Sequence, residues 1–331
     1  MSGFAAGLRA RARAAGRTVV FPEGTEPRVH EAVAEGLRED LFRPVLLGPP
    51  ADVRRGLEEA GADAARVDVH DPADPERLGL FALRFAEARE AAGRPARRAE
   101  TLVVDPLLQA ALMVRAGEAD ASVAGSVRTT GDVVVAALRG VGSAAGIQTV
   151  SSSFYMAFET GGPYGPGVLT FTDAAVVPSP SPTQLAEIGV AAARARRAVV
   201  GDEPVVAFLS YSTKGSASGA AIDAVREAVD RFRLLMPDVE ADGELQGDAA
   251  LSMLVGARKA PGSTVAGRAN VLVFPDLQSA NIAYKLVQYL AGAQAIGPIL
   301  QGLARPCNDL SRGATPADIV AVACVTALMV E

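Results

Sequence analysis

Short apolar runs alternate with longer helical patterns along all 331 residues, and few architectures accommodate that alternation. The runs expected as strands are 18–21, 44–47, 121–124, 146–150, 167–172, 205–209 and 271–274. Helical spacing of apolar residues fills 28–39, 75–92, 106–116, 131–141, 182–199, 217–236, 245–255, 279–290 and 318–330. Strands that are apolar almost throughout belong in a mostly parallel sheet covered on both faces. The expected fold is therefore α/β, with two α/β/α domains. One takes 1–148 plus 302–331, the final helix returning to it, and the other takes 149–301.

A chain that is 49% apolar and 21% charged has ample material for a packed core. The formal net charge of −6 argues against a dedicated nucleic-acid binder. Two cysteines, Cys307 and Cys324, make neither a disulfide scaffold nor a thiolate metal cage, and they fit a reducing, cytoplasmic location. No apolar stretch reaches the roughly 18 residues of a membrane span without Gly, Pro or charge; 319–330 comes nearest. Arg9, Arg11, Arg13 and Arg17 among alanines resemble a transit peptide. A surface helix stopping at Gly16 is favoured, because it runs straight into the strand at 18–21.

Several familiar motifs fail. Gly140-Val141-Gly142-Ser143-Ala144-Ala145-Gly146 misses the dinucleotide spacing and follows a helix rather than a strand. Lys214-Gly215-Ser216 lacks the upstream glycine of a phosphate loop. Of the two histidines, His70 before Asp71-Pro72 is expected in a surface turn and His30 on a helix face, which leaves a Ser-His-Asp hydrolase or a His-rich metal site without support.

Other stretches carry more. Val123 to Asp132 reads as strand, hydroxyl-rich loop and helix start, where free N–H groups with Ser126, Arg128 and Thr130 would cradle an anion. A plain N-cap at Thr130 beside an exposed arginine accounts for it equally well. Ser151-Ser152-Ser153 is expected as a second polar loop and Ser210 to Ser216, with Lys214, as a third. Ligands of open α/β sheets bind beyond the carboxyl ends of strands, so the three loops are expected to face one cleft. Near the C-terminus, Thr315-Pro316-Ala317-Asp318 is a capping pattern with Thr315 as N-cap and Asp318 at the third helical position. Ser311 and Arg312, ahead of Gly313, have no such local explanation, and a solvated loop and a catalytic one both stay open.

Taken together, these stretches resemble the phosphate acetyltransferase (phosphotransacetylase) family, of the phosphate acetyl/butyryltransferase kind. The resemblance rests on Val20-Phe21-Pro22-Glu23-Gly24, Ala124-Gly125-Ser126 with Thr130, Leu209 to Ser216, Ala241 to Gln246 and the C-terminal block from Asn270. It implies an isocitrate/isopropylmalate dehydrogenase-like fold, a homodimer, and acetyl transfer between CoA and inorganic phosphate without metal or cofactor. Its substrates would be CoA, acetyl-CoA, phosphate and acetyl phosphate. The catalytic aspartate, serine and arginine fall on Asp318, Ser311 and Arg312, and a substrate-binding arginine falls on Arg89. The chain departs from the pattern at Val135, where an arginine is expected, at Ala314 for a cysteine and at Arg128 for a histidine; Arg128 or Arg139 would supply the missing cation.

An ordinary carboxyl titrates about four units below a thiol, roughly 6 kcal/mol against complete proton transfer, so a carboxylate base calls for transfer concerted with attack. Two alternatives stay open from sequence: a propionyl or butyryl phosphate acyltransferase, and a non-catalytic acetyl-CoA-sensing module.

Overall fold

The computed structural model of the chain describes residues 3–158 and 167–330. They form two compact units, one of residues 5–145 with 303–330, the other of residues 3–4 with 146–158 and 167–302. The chain opens with α1 Gly3–Ala15, β1 Thr18–Phe21, α2 Pro27–Arg38, β2 Arg43–Leu47, α3 Pro50–Glu59, β3 Asp68–His70, α4 Pro75–Ala91, α5 Ala99–Leu102, α6 Pro106–Ala116, β4 Ala121–Ala124 and α7 Thr130–Gly140. The second unit carries β5 Ser151–Phe158, β6 Gly167–Thr172, α8 Pro182–Val199, β7 Val205–Leu209, α9 Ala220–Leu235, β8 Glu240–Leu245, α10 Gly247–Leu251, α11 Met253–Lys259, β9 Val271–Val273, α12 Leu277–Ala291 and β10 Gln294–Gln301. The chain then re-enters the first unit as β11 Cys307–Asp309 and α13 Pro316–Leu328.

The first sheet runs β11-β4-β1-β2-β3 and every pairing is parallel. Its centre, β1, is apolar on both faces because helices cover both: Val19, Val20 and Phe21 are fully buried. α2 packs with α3 and α13, while α4, α6 and α7 pack together, and each group touches the sheet. Val20, Phe81, Phe85, Leu108 and Leu112 share one core, each such side chain contributing about 1.5–3 kcal/mol on burial. Proline opens α2, α3, α4, α6, α8 and α13, where its missing N–H costs no hydrogen bond.

The second sheet runs β10-β5-β6-β9-β7-β8 and is mixed. β6, β9, β7 and β8 pair in parallel, whereas β5 pairs antiparallel with both β10 and β6. Three expectations need correction here. Residues 146–150 form no strand, because the Glu187 carboxylate takes the N–H groups of Gln148 and Thr149 in place of a ladder. Ser151 to Ser153 are consequently not a loop; they open β5 and are fully buried. The helix expected at 245–255 is split: Leu245 ends β8, and Ser252 caps a separate α11 by accepting from the Val255 N–H. In the first unit His70 also departs from its expected surface turn, ending β3 in register with Leu47.

β3, β8, β10 and β11 escape detection by apolar runs. They are short or polar, and β10 contains Gly297-Pro298, where its register shifts against β5. A buried polar network explains how serine-rich β5 is tolerated. Gln301 Nε2 lies 2.9 Å from Ser151 Oγ, 3.0 Å from Thr172 Oγ1 and 3.3 Å from the Ile188 carbonyl, and its Oε1 accepts from the Ser153 hydroxyl at 2.7 Å. Gln301→Leu would strip these buried groups of partners and is expected to destabilise the fold by about 2–4 kcal/mol, read as a lowered urea midpoint.

Candidate active site

Parallel order in the first sheet places the carboxyl ends of β11, β4 and β1 side by side. Asp309, the last residue of β11, pairs with Ala124, the last of β4. The connections leaving these strands therefore start together: 22–26 after β1, 125–129 after β4 and 310–315 after β11. Such edges are where open α/β sheets hold ligands.

The N–H groups of the 125–128 loop do converge, as an anion cradle requires, but Glu23 occupies them. Its Oε2 accepts from the Gly125 and Ser126 N–H groups at 2.9 and 2.8 Å and from the Ser126 hydroxyl. Its Oε1 accepts from Val127 and Arg128 at 3.0 and 2.7 Å. Ser126, expected to bind an anion, here gives both its hydroxyl and its N–H to an internal carboxylate. Gly125 sits at φ +101°, and a Cβ there would lie 2.2 Å from Asp309 Oδ1, so only glycine lets the two strand ends approach this closely.

Arg28, early in α2, closes the arrangement from the carbonyl side. Its Nη1 donates to the Arg312 and Ala314 carbonyls at 2.8 and 3.0 Å, and its Nη2 to the Ser126 carbonyl at 2.8 Å. Glu26 accepts from its Nε at 2.6 Å. One guanidinium thus joins the loop after β4 to the loop after β11.

The residues predicted on the first of these loops have specific duties. Thr129, not Thr130, is the N-cap of α7, in a reciprocal box with Asp132. Thr130 is freed from capping, and its hydroxyl donates to Asp309 Oδ2 at 2.6 Å. Arg128 makes a forked pair with Asp105, both contacts 3.1 Å, and reaches Asp132 at 3.4 Å. It lines a pocket of roughly 270 Å³ together with the acids Glu23, Glu26 and Asp105 and the apolar Pro22, Pro106, Leu107 and Val127.

On the second loop Ser311 and Arg312 are exposed, and the Ser311 Oγ accepts from the Gly313 N–H at 3.3 Å. The Arg312 side chain pairs with no group among the described residues, so its charge is available to an anion. Thr315 and Asp318 form the reciprocal cap the sequence predicts: Asp318 Oδ2 accepts from the Thr315 N–H at 2.9 Å and from its hydroxyl at 2.7 Å. Only one carboxylate oxygen is used. Oδ1 has no partner among the described residues, leaving a half-buried carboxylate with one oxygen committed to the cap and one open.

Beneath both loops lies Asp309, fully buried, with no well-formed hydrogen bond to Oδ1. Burial pushes its carboxyl up to about 7 against the opposing pull of the Thr130 hydroxyl and the Leu310 N–H, and the neighbouring Glu23 charge adds to the rise. Among the described residues no three His, Cys, Asp or Glu side chains converge as metal ligands do.

Residues 4–327 match the family described as phosphate acetyl/butaryl transferase. The chain belongs to that family. It is 44% identical over 321 residues to the phosphate acetyltransferase of Thermoanaerobacterium thermosaccharolyticum, covering 97% of each. A phosphotransacetylase structure from Streptococcus pyogenes superposes with a TM-score of 0.91 at 38% identity, over 99% of this chain and 98% of that one. A branched-chain phosphotransacylase from Enterococcus faecalis shares the fold alone, with a TM-score of 0.67 at 18% identity, over 95% of this chain and 99% of that one.

Within this phosphate acetyl/butaryl transferase chain the remaining predicted residues belong to other segments. Arg89 is on α4 and its Nε donates to the Pro95 carbonyl at 3.3 Å. Val135 is 44% exposed on α7. Of the two cations weighed as its replacement, Arg128 is held by Asp105, while Arg139, in the last turn of α7, is exposed. Ser151, Ser152 and Lys214 belong to the second unit. The Ser151 Oγ accepts from Gln301 and the Ser152 hydroxyl donates to Asp173, so both serines are corrected from loop ligands to interior hydrogen-bond partners. Lys214 is ion-paired to the nearly buried Asp242 and donates to the Gly243 carbonyl at 3.1 Å. Its loop is held down by Glu244, which, although burial opposes it, the Arg226 guanidinium and the Gly215 N–H hold at about 2.

Glu23, Arg28 and Asp309 were not singled out from sequence. Arg28 carried one signal: a cation in the first turn of a helix opposes the helix dipole and so asks for another reason to be there. Replacing Glu23 by glutamine sets an NH2 group against converging donors. Glu23→Gln is expected to cost about 2–3 kcal/mol and to abolish amide-exchange protection across 125–128, measured by hydrogen–deuterium exchange mass spectrometry.

Proposed function

We propose that this chain catalyses reversible acetyl transfer, acetyl-CoA + phosphate = CoA + acetyl phosphate, by direct attack within a ternary complex. The observation that carries this is the half-used Asp318 carboxylate on the same short segment as the unpaired Arg312 and the exposed Ser311, in a chain of this family.

Towards acetyl-CoA, Asp318 Oδ1 takes the CoA thiol proton as sulfur attacks the acetyl carbonyl carbon. The carbon–sulfur bond forms and the carbonyl oxygen becomes an oxyanion, stabilised by the Ser311 hydroxyl. The oxyanion collapses, the bond from carbon to the phosphate oxygen breaks, and phosphate leaves against Arg312. The reverse reaction returns the Asp318 proton to the CoA sulfur. An acyl-enzyme on a cysteine is disfavoured. Cys307 and Cys324 are both buried, and burial pushes each thiol up to about 12, far from thiolate. The steps call only for proton movement and a cation opposite phosphate, so we assign no metal or organic cofactor.

Asparagine at 318 keeps an oxygen for the cap but cannot take the proton. Asp318→Asn should lower kcat by about a hundredfold or more while CoA KM moves less than about threefold, followed by thioester absorbance with acetyl phosphate and CoA. Wild-type protein that forms no thioester from these two substrates refutes the assignment.

We further infer a homodimer and a cytoplasmic location. No helix among the described residues is long and apolar enough to cross a membrane, and the free thiols suit a reducing compartment. On α12, Ile282, Leu286, Tyr289 and Leu290 are 58%, 52%, 83% and 81% exposed at helical spacing, an apolar stripe that a second copy would cover. Leu286→Glu combined with Leu290→Glu is expected to give a folded monomer by light scattering; an unchanged mass places the interface elsewhere.

A further inference from the structure

Asp309 is a carboxyl the chemistry above does not use, and its position is hard to explain as packing. It ends β11, two residues before Ser311, and it is fully buried. Thr130 donates to Oδ2 at 2.6 Å, so the first turn of α7 is tied to the strand that leads into the Ser311–Arg312 loop. Oδ1 is buried, makes no well-formed hydrogen bond, and has only the Leu310 N–H pulling on it, close against Gly125 at the opposite side of the same loop. A buried charged acceptor left unsatisfied costs at least about 1–3 kcal/mol, which the fold would avoid with an alanine there. A neutral carboxyl removes the charge from that cost.

The charged groups on the elements packed around it are Glu23 and Arg28 from the β1–α2 connection and α2, Arg128 and Asp132 at the start of α7, and Arg312 and Asp318 on the loop and first turn of α13. Most are already matched: Arg28 by Glu26 and three carbonyls, Arg128 by Asp105 and Asp132, Glu23 by its N–H nest. Arg312 is the cation left for a ligand. Arg312 lies three residues along the chain from Asp309, so a dianion held there adds negative charge to the loop that Asp309 anchors and favours the protonated carboxyl.

We propose that Asp309 is a positioning residue for this reaction: through Thr130 it clamps the start of α7 to the Ser311–Arg312 loop, and it takes up a proton when a phosphate or acyl phosphate dianion binds there. The proton comes from solvent and returns to it when the anion leaves, so no other reactant is needed. By reciprocity, anion affinity falls as Asp309 ionises. The pH window follows from its raised position: the carboxyl is neutral below about 7 and charged above it, so the effect appears as pH rises through that value.

This rests on the proposed acetyl transfer, and the test separates the two. The first arm uses no catalysis: sulfate, whose charge is fixed near neutral pH, is titrated into the full chain by calorimetry at about pH 6 and about pH 8. Wild type is expected to bind it about fivefold more weakly at the higher pH, and Asp309→Asn to show less than about twofold change. Equal pH dependence in both proteins overturns the proposal. The second arm measures acetyl transfer: Asp309→Asn and Thr130→Val should each lower kcat about tenfold, with Thr130→Ser restoring it. Should Asp309→Asn fail to fold, the Thr130 pair still decides, because an unaffected Thr130→Val refutes the clamp. Inactive wild type that nonetheless shows the sulfate effect refutes the acetyl transfer and retains the Asp309 coupling.

Discussion

Two oppositely charged side chains on one short segment, Glu23 and Arg28, hold the end of the first sheet in shape. Glu23 satisfies the outward N–H groups of the loop after β4, and Arg28 satisfies carbonyls of that loop and of the loop after β11. Exposed loop backbone is ordinarily satisfied by water and is correspondingly mobile. Charge-assisted bonds from a rigid strand end and a helix start replace that water with fixed partners. Ser311, Arg312 and Asp318 can then stay partly exposed on a loop whose backbone is anchored from below.

The same arrangement separates structural charge from chemical charge. Arg128 and Lys214 look alike in sequence as cations on hydroxyl-rich loops, yet each is spent on an aspartate, Asp105 or Asp242. Arg312 sits on an equally polar loop and is matched by nothing described; Arg28 reaches the neighbouring carbonyls, and the acid beside it, Glu26, is taken by Arg28 itself. In the second unit, serine-rich β5 shows the converse economy: its hydroxyls stay inside the sheet because Gln301 and Asp173 meet them.

Legibility followed the range of the interaction. The cap of α13 was readable because Thr315 and Asp318 satisfy each other within one turn. The proline-led helix starts and the apolar strands at 18–21, 121–124 and 205–209 were readable for the same local reason. Of the two readings open for Thr130, capping fails, since two adjacent threonines stand at the start of α7 and only the tertiary fold selects Thr129 for the cap and sends Thr130 to Asp309. Residues 146–150 look like a strand by apolarity, but their amides go to Glu187 on α8, which no local pattern reveals.

By itself, then, the sequence determined the alternation of strands and helices, where most helices begin, and the family to which the C-terminal Ser-Arg-Gly block points. Tertiary structure decided what fills the N–H nest, which arginine is left unpaired and why Asp309 is buried. Those outcomes depend on β11, β4 and β1 lying side by side. That order brings Glu23 against Gly125, 102 residues further along the chain, and Thr130 against Asp309, 179 residues further on. Apolar periodicity fixes which residues turn inward, but it carries no information about which strand becomes whose neighbour.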